Sequence, residues 1–427
     1  MLASHSKGTW MNQETLALHG GPKVRAHPWP ERGLIGPEEK AAVDALFDQA
    51  IATGRAFGYN GPEEEAYCQE FADYLGGGFA DAVSSGSAAV YVALKALNLP
   101  PFSEVIVSAV TDPGGMMPIP LLNCIPIVAD SAPGSYNTGP EQVEALITPL
   151  TRAIVVTHIA GEPADVEGIV AVARKRGIPV VEDCAQSHGA VLHGRQVGIF
   201  GDIAAFSTMF GKHHCTGGQG GLVFTRREDV YWSIRRAADR GKPFGLPAGA
   251  TNHEAALNLN LNELAAAIGR AQLKKLPRIV ERRRAVVAGI QAGIRGLRTV
   301  SIPAPIPGAQ PSYWFLRVRF HPEAARCDKE AFCQALAAEG LGVAANYRAA
   351  LPHTMDWFVH RRAFGDSQYP WSSPDYDGDP DRQFTCPNAD AAMDAHFNLY
   401  PHEGWGDPEV EDTVRILRKV EAAYGIS

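Results

Sequence analysis

The sequence has 427 residues, a formal net charge of −8 and seven cysteines. Charges of both signs are mixed along the chain, which disfavours a nucleic-acid-binding protein. The odd, scattered cysteines favour a reducing compartment over a disulfide framework. No apolar run is long enough to span a membrane, and the polar N-terminus lacks the charged-then-apolar order of a signal peptide. We therefore expect a cytoplasmic protein without a membrane span.

The length of the chain predicts a large domain and a smaller one. We assign residues 1–36 to an N-terminal extension and arm, and we give the first ten of them no role. Residues 37–275 form the large domain and residues 276–427 a smaller α+β domain.

Short β-branched runs alternate with helical segments in the first half of the chain. Continuous apolar strands separated by helices are typical of a buried, mostly parallel sheet with both faces covered, so we predict an α/β large domain. The predicted strands are residues 104–107, 125–128, 153–156 and 179–181, and the helices include residues 87–97 and 169–176.

The pattern changes after residue 261. Residues 261–296 predict a long connecting helix with Pro277 as a kink, and residues 364–388 predict a long loop. Between them lies an apolar run at residues 314–320, and an amphipathic helix over residues 408–424 closes the chain.

Asp183 is the first candidate functional residue. It ends a predicted strand, and ligands bind beyond the carboxyl ends of the strands in open α/β sheets. A carboxylate there can keep a pyridine nitrogen protonated. The alternative for a single aspartate is a helix cap or a surface position.

Lys212 is the second such residue. It follows the run FSTMFG and precedes a glycine cluster at residues 217–221. Burial would lower the pKa of its amine and make it nucleophilic near neutral pH, whereas an exposed loop lysine would have no such role. Ser207, five residues earlier, is placed to donate its hydroxyl to a phosphate.

The run Ser84-Ser85-Gly86-Ser87 opens a predicted helix. Free backbone N–H groups make a helix start an anion site, and Gly86 allows close approach while Ser87 adds a hydroxyl; an ordinary capping turn is the alternative. In combination with Asp183 and Lys212, this segment supplies what pyridoxal phosphate requires.

No metal site is predicted. His213, His214 and Cys215 are adjacent in the sequence and cannot easily converge on one tetrahedral ion. His188 and Tyr347 are candidate substrate contacts, with packing and a domain interface as the respective alternatives.

Six segments together resemble the successive motifs of the DegT/DnrJ/EryC1/StrS family. The resemblance covers roughly residues 15–425 and implies a fold-type-I, pyridoxal-phosphate-dependent aminotransferase whose large domain holds a mostly parallel seven-stranded sheet. The segments are residues 84–89 (SSGSAA), 156–163 (VTHIAGEP), 182–190 (EDCAQSHGA), 201–207 (GDIAAFS) with Lys212, 217–221 (GGQGG) and 258–267 (NLNLNELAAA).

The resemblance implies a role for each matching residue. Lys212 matches the lysine that binds the cofactor covalently, Asp183 the partner of the ring nitrogen, and Gln186 a hydrogen-bonding residue near the ring hydroxyl. Phosphate binders are matched by Gly86, Ser87 and Ser207. Asn258 matches an asparagine that reaches the phosphate of the neighbouring subunit's cofactor, which implies a homodimer with shared active sites.

The chain also departs from the family pattern. Asp112 stands where many relatives have an aromatic residue over the cofactor ring, which makes it a candidate substrate residue. Gln219 replaces a usual glutamate and Asn260 a common arginine. These departures indicate a divergent subgroup, and residues 20–22 (GGP), 28–30 (PWP) and 401–405 (PHEGW) look more like the aminocyclitol and amino-hydroxybenzoate branch.

The implied reaction moves an amino group from glutamate or glutamine to a ketone on a sugar, nucleotide sugar or cyclitol, with pyridoxamine phosphate as the intermediate cofactor form. The alternatives are a sugar dehydratase-like enzyme, disfavoured by the lysine at position 212, and a non-catalytic regulatory member, disfavoured by the intact site segments. A nucleotide-binding oxidoreductase is disfavoured because no GxGxxG follows the first predicted strand.

Overall fold

A computed structural model describes residues 14–426 of the chain. Residues 1–13, which include the segment without an assigned role, and residue 427 lie outside the described residues. Within the described part, no helix combines the length and apolar character needed to cross a membrane.

A seven-stranded sheet forms the centre of the large domain and confirms the predicted fold class. Its strands, in chain order, are β1 (Phe79–Val83), β2 (Glu104–Ser108), β3 (Ile125–Ala129), β4 (Thr151–Thr157), β5 (Val180–Asp183), β6 (Ile203–Ser207) and β7 (Gly221–Thr225). Their spatial order is β1-β7-β6-β5-β4-β2-β3. Adjacent strands from β3 to β6 are parallel, and β7 is antiparallel to both of its neighbours.

Helices cover the sheet, as the alternating pattern predicted. The apolar side chains of the sheet and the helices pack into three buried clusters, two of which also include side chains from residues after 300. The α-helices before the connecting helix are Pro37–Thr53, Pro62–Tyr74, Gly86–Ala96, Pro113–Met116, Pro118–Leu121, Pro140–Glu144, Val166–Arg174 and Glu228–Ala238.

The connecting helix, Glu263–Gly293, runs through Pro277 as one element. It leads into a four-stranded antiparallel sheet that packs against the helices Lys329–Ala338 and Asp407–Tyr424. The strands of this sheet are Val300–Ser301, Leu316–Phe320, Val343–Ala344 and His396–Leu399. The boundary placed at residues 275 and 276 therefore falls within a continuous helix, and the domain division stays a prediction.

Two smaller features complete the second half. Short strands Val191–Leu192, Arg195–Gln196 and Ala309–Gln310 form a separate three-stranded sheet. Of the predicted loop at residues 364–388, residues 364–386 are irregular and lie between the helices Asp356–Val359 and Pro387–Ala395, and the last two residues begin the second helix. Trp371 from this loop joins the apolar cluster that includes Ile127 of the edge strand β3, so the loop covers one edge of the large sheet.

The predicted N-terminal arm packs against the C-terminal part of the chain. Trp29 stacks on Trp405 with ring centroids 4.5 Å apart. The buried guanidinium of Arg25 pairs with Glu409 at 3.3 Å and Asp412 at 2.9 Å. Residues far apart in sequence thus hold the arm close to the smaller sheet.

A largely buried ion pair joins the large domain to the smaller sheet. Arg317 contacts both carboxylate oxygens of Glu162, at 3.0 and 2.7 Å. We predict that Glu162→Ala lowers the free energy of unfolding by about 3 kcal/mol, because it leaves a buried guanidinium unpaired. Asp44→Ala removes the exposed pair with Lys40 and should cost less than about 0.5 kcal/mol. Urea denaturation measures both, and equal effects would contradict a stabilising role for the buried pair.

Candidate active site

Asp183 lies at the carboxyl end of β5, in the centre of the sheet. Its side chain is buried, and Oδ1 accepts a hydrogen bond of 3.0 Å from the backbone N–H of Ala185. Burial raises the pKa of Asp183 to about 6, while this hydrogen bond and the charge of Lys212 oppose the rise. A carboxylate held in this way can form a strong ionic bond with a cationic ligand group.

Lys212 lies in the turn that follows β6, the strand next to β5. Only 7% of the residue is exposed, and burial lowers the pKa of its amine to about 8. The charges of Asp183 and Asp112 oppose this shift. Because the neutral amine is the nucleophilic form, Lys212 is prepared for attack on a carbonyl carbon near neutral pH.

The start of helix Gly86–Ala96 lies beside the end of β6. Ser85 caps the helix by accepting a hydrogen bond of 3.0 Å from the N–H of Ala88. A Cβ placed on Gly86 would lie 2.6 Å from the Cβ of Ser207, so only glycine permits this approach. The free N–H groups of the first turn and the nearby serine hydroxyls suit an anion.

These groups share one cavity of about 380 Å³. The cavity brings together seven residues predicted from the sequence, namely Gly86, Ser87, Asp112, Asp183, Gln186, Ser207 and Lys212. The rest of its wall is formed by Ser85, Val90, Gly114, Gly115, Thr157, Ala185, Met209 and Gln219.

The donor set of this cavity fits pyridoxal phosphate. Hydroxyls and a helix start suit the phosphate, a carboxylate suits the ring nitrogen, and an amine suits the aldehyde. The backbone also approaches closely here, because a Cβ on Gly115 would lie 2.8 Å from Oδ2 of Asp183. The missing side chain leaves that carboxylate open to the cavity.

Asp112 and Gln186 have polar partners at the cavity wall. Oδ1 of Asp112 accepts a hydrogen bond of 2.9 Å from Gly114, which fixes the carboxylate at the start of a short helix. Oε1 of Gln186 accepts a bond of 2.9 Å from the N–H of Ala160, and its Nε2 lies 3.2 Å from the hydroxyl of Tyr347. Tyr347 therefore contacts Gln186 but is not among the residues that line the cavity.

The structure does not bring His188 to the cavity wall. Its ring is fully buried, and Nε2 lies 2.8 Å from the carbonyl oxygen of Ser207, to which it donates. It packs on Phe206 and His214. Burial lowers the pKa of His188 to about 4, which favours the neutral ring. Of the two alternatives for His188, this geometry favours packing, because the ring contacts the end of β6 from the protein interior.

Asn258 is also not among the residues that line this cavity. It is exposed, pairs with Asp239 through the backbone, and accepts a hydrogen bond of 2.7 Å from Asn260. Its predicted contact with a neighbouring subunit's cofactor is therefore a proposal that the single chain leaves open.

His158, Glu182 and Cys184 form a buried cluster whose side-chain atoms are close enough to share an ion. The atoms of the first two are already engaged. Nδ1 of His158 accepts from Ala164, and its Nε2 lies 3.2 Å from Glu182. Glu182 also accepts three backbone N–H bonds, from Gly198, Phe200 and Gly201. We interpret this cluster as structural.

Thr157 and Met209 were not predicted from the sequence as wall residues. Thr157 pairs with Asp183 in the register of β4 and β5. Because both residues end parallel strands, the sequence could have predicted that Thr157 lies beside the aspartate at the ligand-binding edge of the sheet. Met209 lies in the turn that carries Lys212, which we call the lysine turn. In a turn, the direction of a side chain does not follow the regular period of a helix or a strand, so no signal in the sequence indicated Met209.

Comparisons with known proteins place the chain in a family. The model of the DegT/DnrJ/EryC1/StrS aminotransferase family matches residues 37–418. The L-glutamine:2-deoxy-scyllo-inosose aminotransferase of Streptomyces fradiae is 35% identical over 299 residues, which cover 66% of this chain and 69% of that protein. Protein MosB of Rhizobium meliloti is also 35% identical, over 54% of this chain and 43% of its own length.

A solved structure shows the same architecture. The aminotransferase from Psychrobacter cryohalolentis superposes with a TM-score of 0.78 at 25% sequence identity, over 94% of this chain and 99% of the other. The family model spans most of the sequence and includes the cavity residues. The chain therefore belongs to the DegT/DnrJ/EryC1/StrS aminotransferase family.

Proposed function

We propose that this aminotransferase uses pyridoxal phosphate to transfer an amino group from glutamine or glutamate to a ketone on a hydroxyl-rich ring. One observation carries the proposal. The buried amine of Lys212 and the buried carboxylate of Asp183 line the same cavity, which also contains a helix start with two serines. The family is pyridoxal-phosphate-dependent, and this chain has retained the groups that such a cofactor needs.

The protein groups would bind the cofactor at both ends. Ser87, Ser207 and the first turn of helix Gly86–Ala96 would hold the phosphate. Asp183 would keep the ring nitrogen protonated, and Gln186 would hydrogen-bond near the ring hydroxyl. Contacts from the helix start and the end of β6 at one side, and from the end of β5 and the turn after it at the other, would fix the orientation of the ring.

When bound, pyridoxal phosphate supplies an aldehyde and a ring that accepts an electron pair. Lys212 would first provide the amine that anchors the aldehyde. When free, the amine of Lys212 would carry a proton to and from the α-carbon of the amino donor, so this residue would serve both as the anchor and as the general base and acid. The buried position keeps water from competing for that proton.

The acceptor is proposed from the relatives and from the cavity wall. The name of the Streptomyces fradiae relative specifies glutamine as donor and a cyclitol ketone as acceptor. In this chain, Asp112 and Gln219 add polar groups to the cavity. A carboxylate and an amide can hydrogen-bond the hydroxyl groups of a ring, so we propose glutamine and a cyclic polyhydroxy ketone as the first substrates to test.

The proposal includes a homodimer in a reducing cytoplasm. Asn258 of each subunit would complete the phosphate site of the other, which accounts for its exposed position away from its own cavity. The seven cysteines are free, which is consistent with a reducing compartment.

Lys212→Ala tests the anchor and the reaction together. The wild-type protein should bind pyridoxal phosphate with a visible absorbance change, and borohydride should fix the cofactor to the peptide that contains Lys212. We expect the variant to lose both signals and all turnover, because only an amine can bind the aldehyde covalently. Incubation with glutamine or glutamate and a series of cyclic ketones identifies the substrates. Failure of the wild type to bind the cofactor would refute the proposal.

Asp183→Asn tests the role of the carboxylate. We expect turnover to fall by about 10²-fold or more, because a charged partner is removed from a site with little water. The charge of Asp183 also raises the pKa of the Lys212 amine, so the pH midpoint for acetylation of Lys212 in the cofactor-free protein should move below about 8. A variant with normal turnover and an unchanged midpoint would show that the carboxylate is structural.

Mixed dimers test the shared active site. Lys212→Ala and Asn258→Asp should each be inactive as homodimers, the second because a carboxylate faces the phosphate. After subunit exchange, one site of each heterodimer combines intact Lys212 from the Asn258→Asp chain with intact Asn258 from the Lys212→Ala chain, and activity should return. Proven exchange without recovered activity would exclude the shared-site arrangement.

A further inference from the structure

The turn that carries Lys212 is held by side chains from distant parts of the chain. Three consecutive carbonyl oxygens accept hydrogen bonds. Gly211 accepts from Nε1 of Trp314 at 3.0 Å, Lys212 from Nη1 of Arg32 at 2.5 Å, and His213 from Nη2 of Arg32 at 2.9 Å. Neither donor belongs to the large domain, since Arg32 lies in the N-terminal arm and Trp314 precedes a strand of the smaller sheet.

A carboxylate fixes the guanidinium of Arg32. Its Nε donates to Oε1 of Glu403 at 2.6 Å, so the two remaining nitrogens point at the lysine turn. The other oxygen of Glu403 accepts from Nε of Arg283 on the connecting helix at 2.8 Å. Burial raises the pKa of Glu403, but the two arginines and hydrogen bonds outweigh this effect and leave the pKa lowered, so the carboxylate stays ionised.

The same group of residues holds Trp314. Nη1 of Arg283 donates to the carbonyl of Trp314 at 3.2 Å. The ring of Trp314 in turn lies against the lysine side chain, with Nζ of Lys212 3.7 Å from the ring centroid. An ammonium over an indole face is attracted to it, so one residue contacts both the backbone and the amine of the turn.

We propose that Arg32 is a positioning residue for Lys212: held by Glu403, its guanidinium fixes the two carbonyls around the lysine and thereby aims the amine into the cavity. The inference rests on the proposed function in that Lys212 is taken as the reactive lysine. Arg32 lies before residue 37, where the family match begins. It donates to the backbone and is not among the residues that line the cavity.

Loss of the hydrogen bonds from Arg32 would loosen the lysine turn and change the pKa of Lys212. Asp183, Asp112 and His188 are the titratable groups that interact with the amine of Lys212, beside the ring of Trp314. Burial is the largest cause of its lowered pKa. If the turn can move, water reaches the amine and the pKa returns toward its ordinary, higher value.

Arg32→Lys is the test variant, because it keeps the positive charge but loses the planar group that reaches two carbonyls and Glu403 together. Arg284→Lys is the matched control. Arg284 lies on the connecting helix and also donates to backbone carbonyls, those of Gly189, Gln310 and Pro311 at 2.8 to 3.0 Å, none of which is in the lysine turn.

Two readouts separate positioning from general stability. In the full chain without cofactor, the pH midpoint for acetylation of Lys212, followed by peptide mass spectrometry, should rise above about 8 in Arg32→Lys and stay unchanged in Arg284→Lys. In the loaded enzyme, kcat should fall by about tenfold or more with KM changed less than about twofold, because a misplaced group slows the reaction without weakening substrate binding.

Trp314→Phe provides a second test if Arg32→Lys fails to fold. It keeps an aromatic ring beside the amine but removes the hydrogen bond from the indole N–H to the carbonyl of Gly211. We therefore expect kcat to fall in this variant too. An Arg32→Lys protein with the acetylation midpoint and kcat of the Arg284→Lys control would overturn the inference. The acetylation result does not depend on cofactor binding, so it distinguishes this failure from a failure of the proposed function.

Discussion

The burial of an amine and a carboxylate in one cavity is the constraint on which the rest of the site depends. Removal of water disfavours the charged form of each group, and it shifts the pKa values of Lys212 and Asp183 in opposite directions. Their mutual attraction opposes both shifts. The parallel pairing of β5 and β6 fixes this relation, because it places the aspartate at one strand end and the lysine in the turn beyond the next.

Close backbone approach around this pair is what makes glycine necessary. Gly86 lies against Ser207, and a Cβ on Gly221 would lie 2.4 Å from the carbonyl oxygen of Ser85. The helix start, the end of β6 and the start of β7 therefore meet within a few ångströms. This contact brings hydroxyls and free backbone N–H groups to one end of the cavity, with Asp183 and Lys212 also on its wall. A side chain at either glycine would separate the segments and open the site to water.

Much of this arrangement could be predicted from the sequence, since apolar runs and strand ends are local signals. The strands β2 to β5 and the helix that begins at Gly86 lie where the pattern placed them, within a few residues. His188 shows the limit: it is close to Asp183 in sequence, yet it faces the interior, because a turn decides the direction of its side chain. The division at residue 275 falls within the continuous helix Glu263–Gly293 and stays a prediction, because helical propensity alone does not mark where one core ends and another begins.

The contacts of Arg32 could not have been predicted at all, because their acceptors are backbone carbonyls that every sequence provides. The residue lies 180 positions before Lys212, and only the packed arm brings them together. Hydrogen bonds through Glu403 and Arg283 connect the arm, the smaller sheet and the connecting helix to the lysine turn. A movement of the smaller sheet relative to the large one would therefore alter the position of the amine. The turn that carries Lys212 is thus held in place by parts of the chain that lie outside the cavity wall.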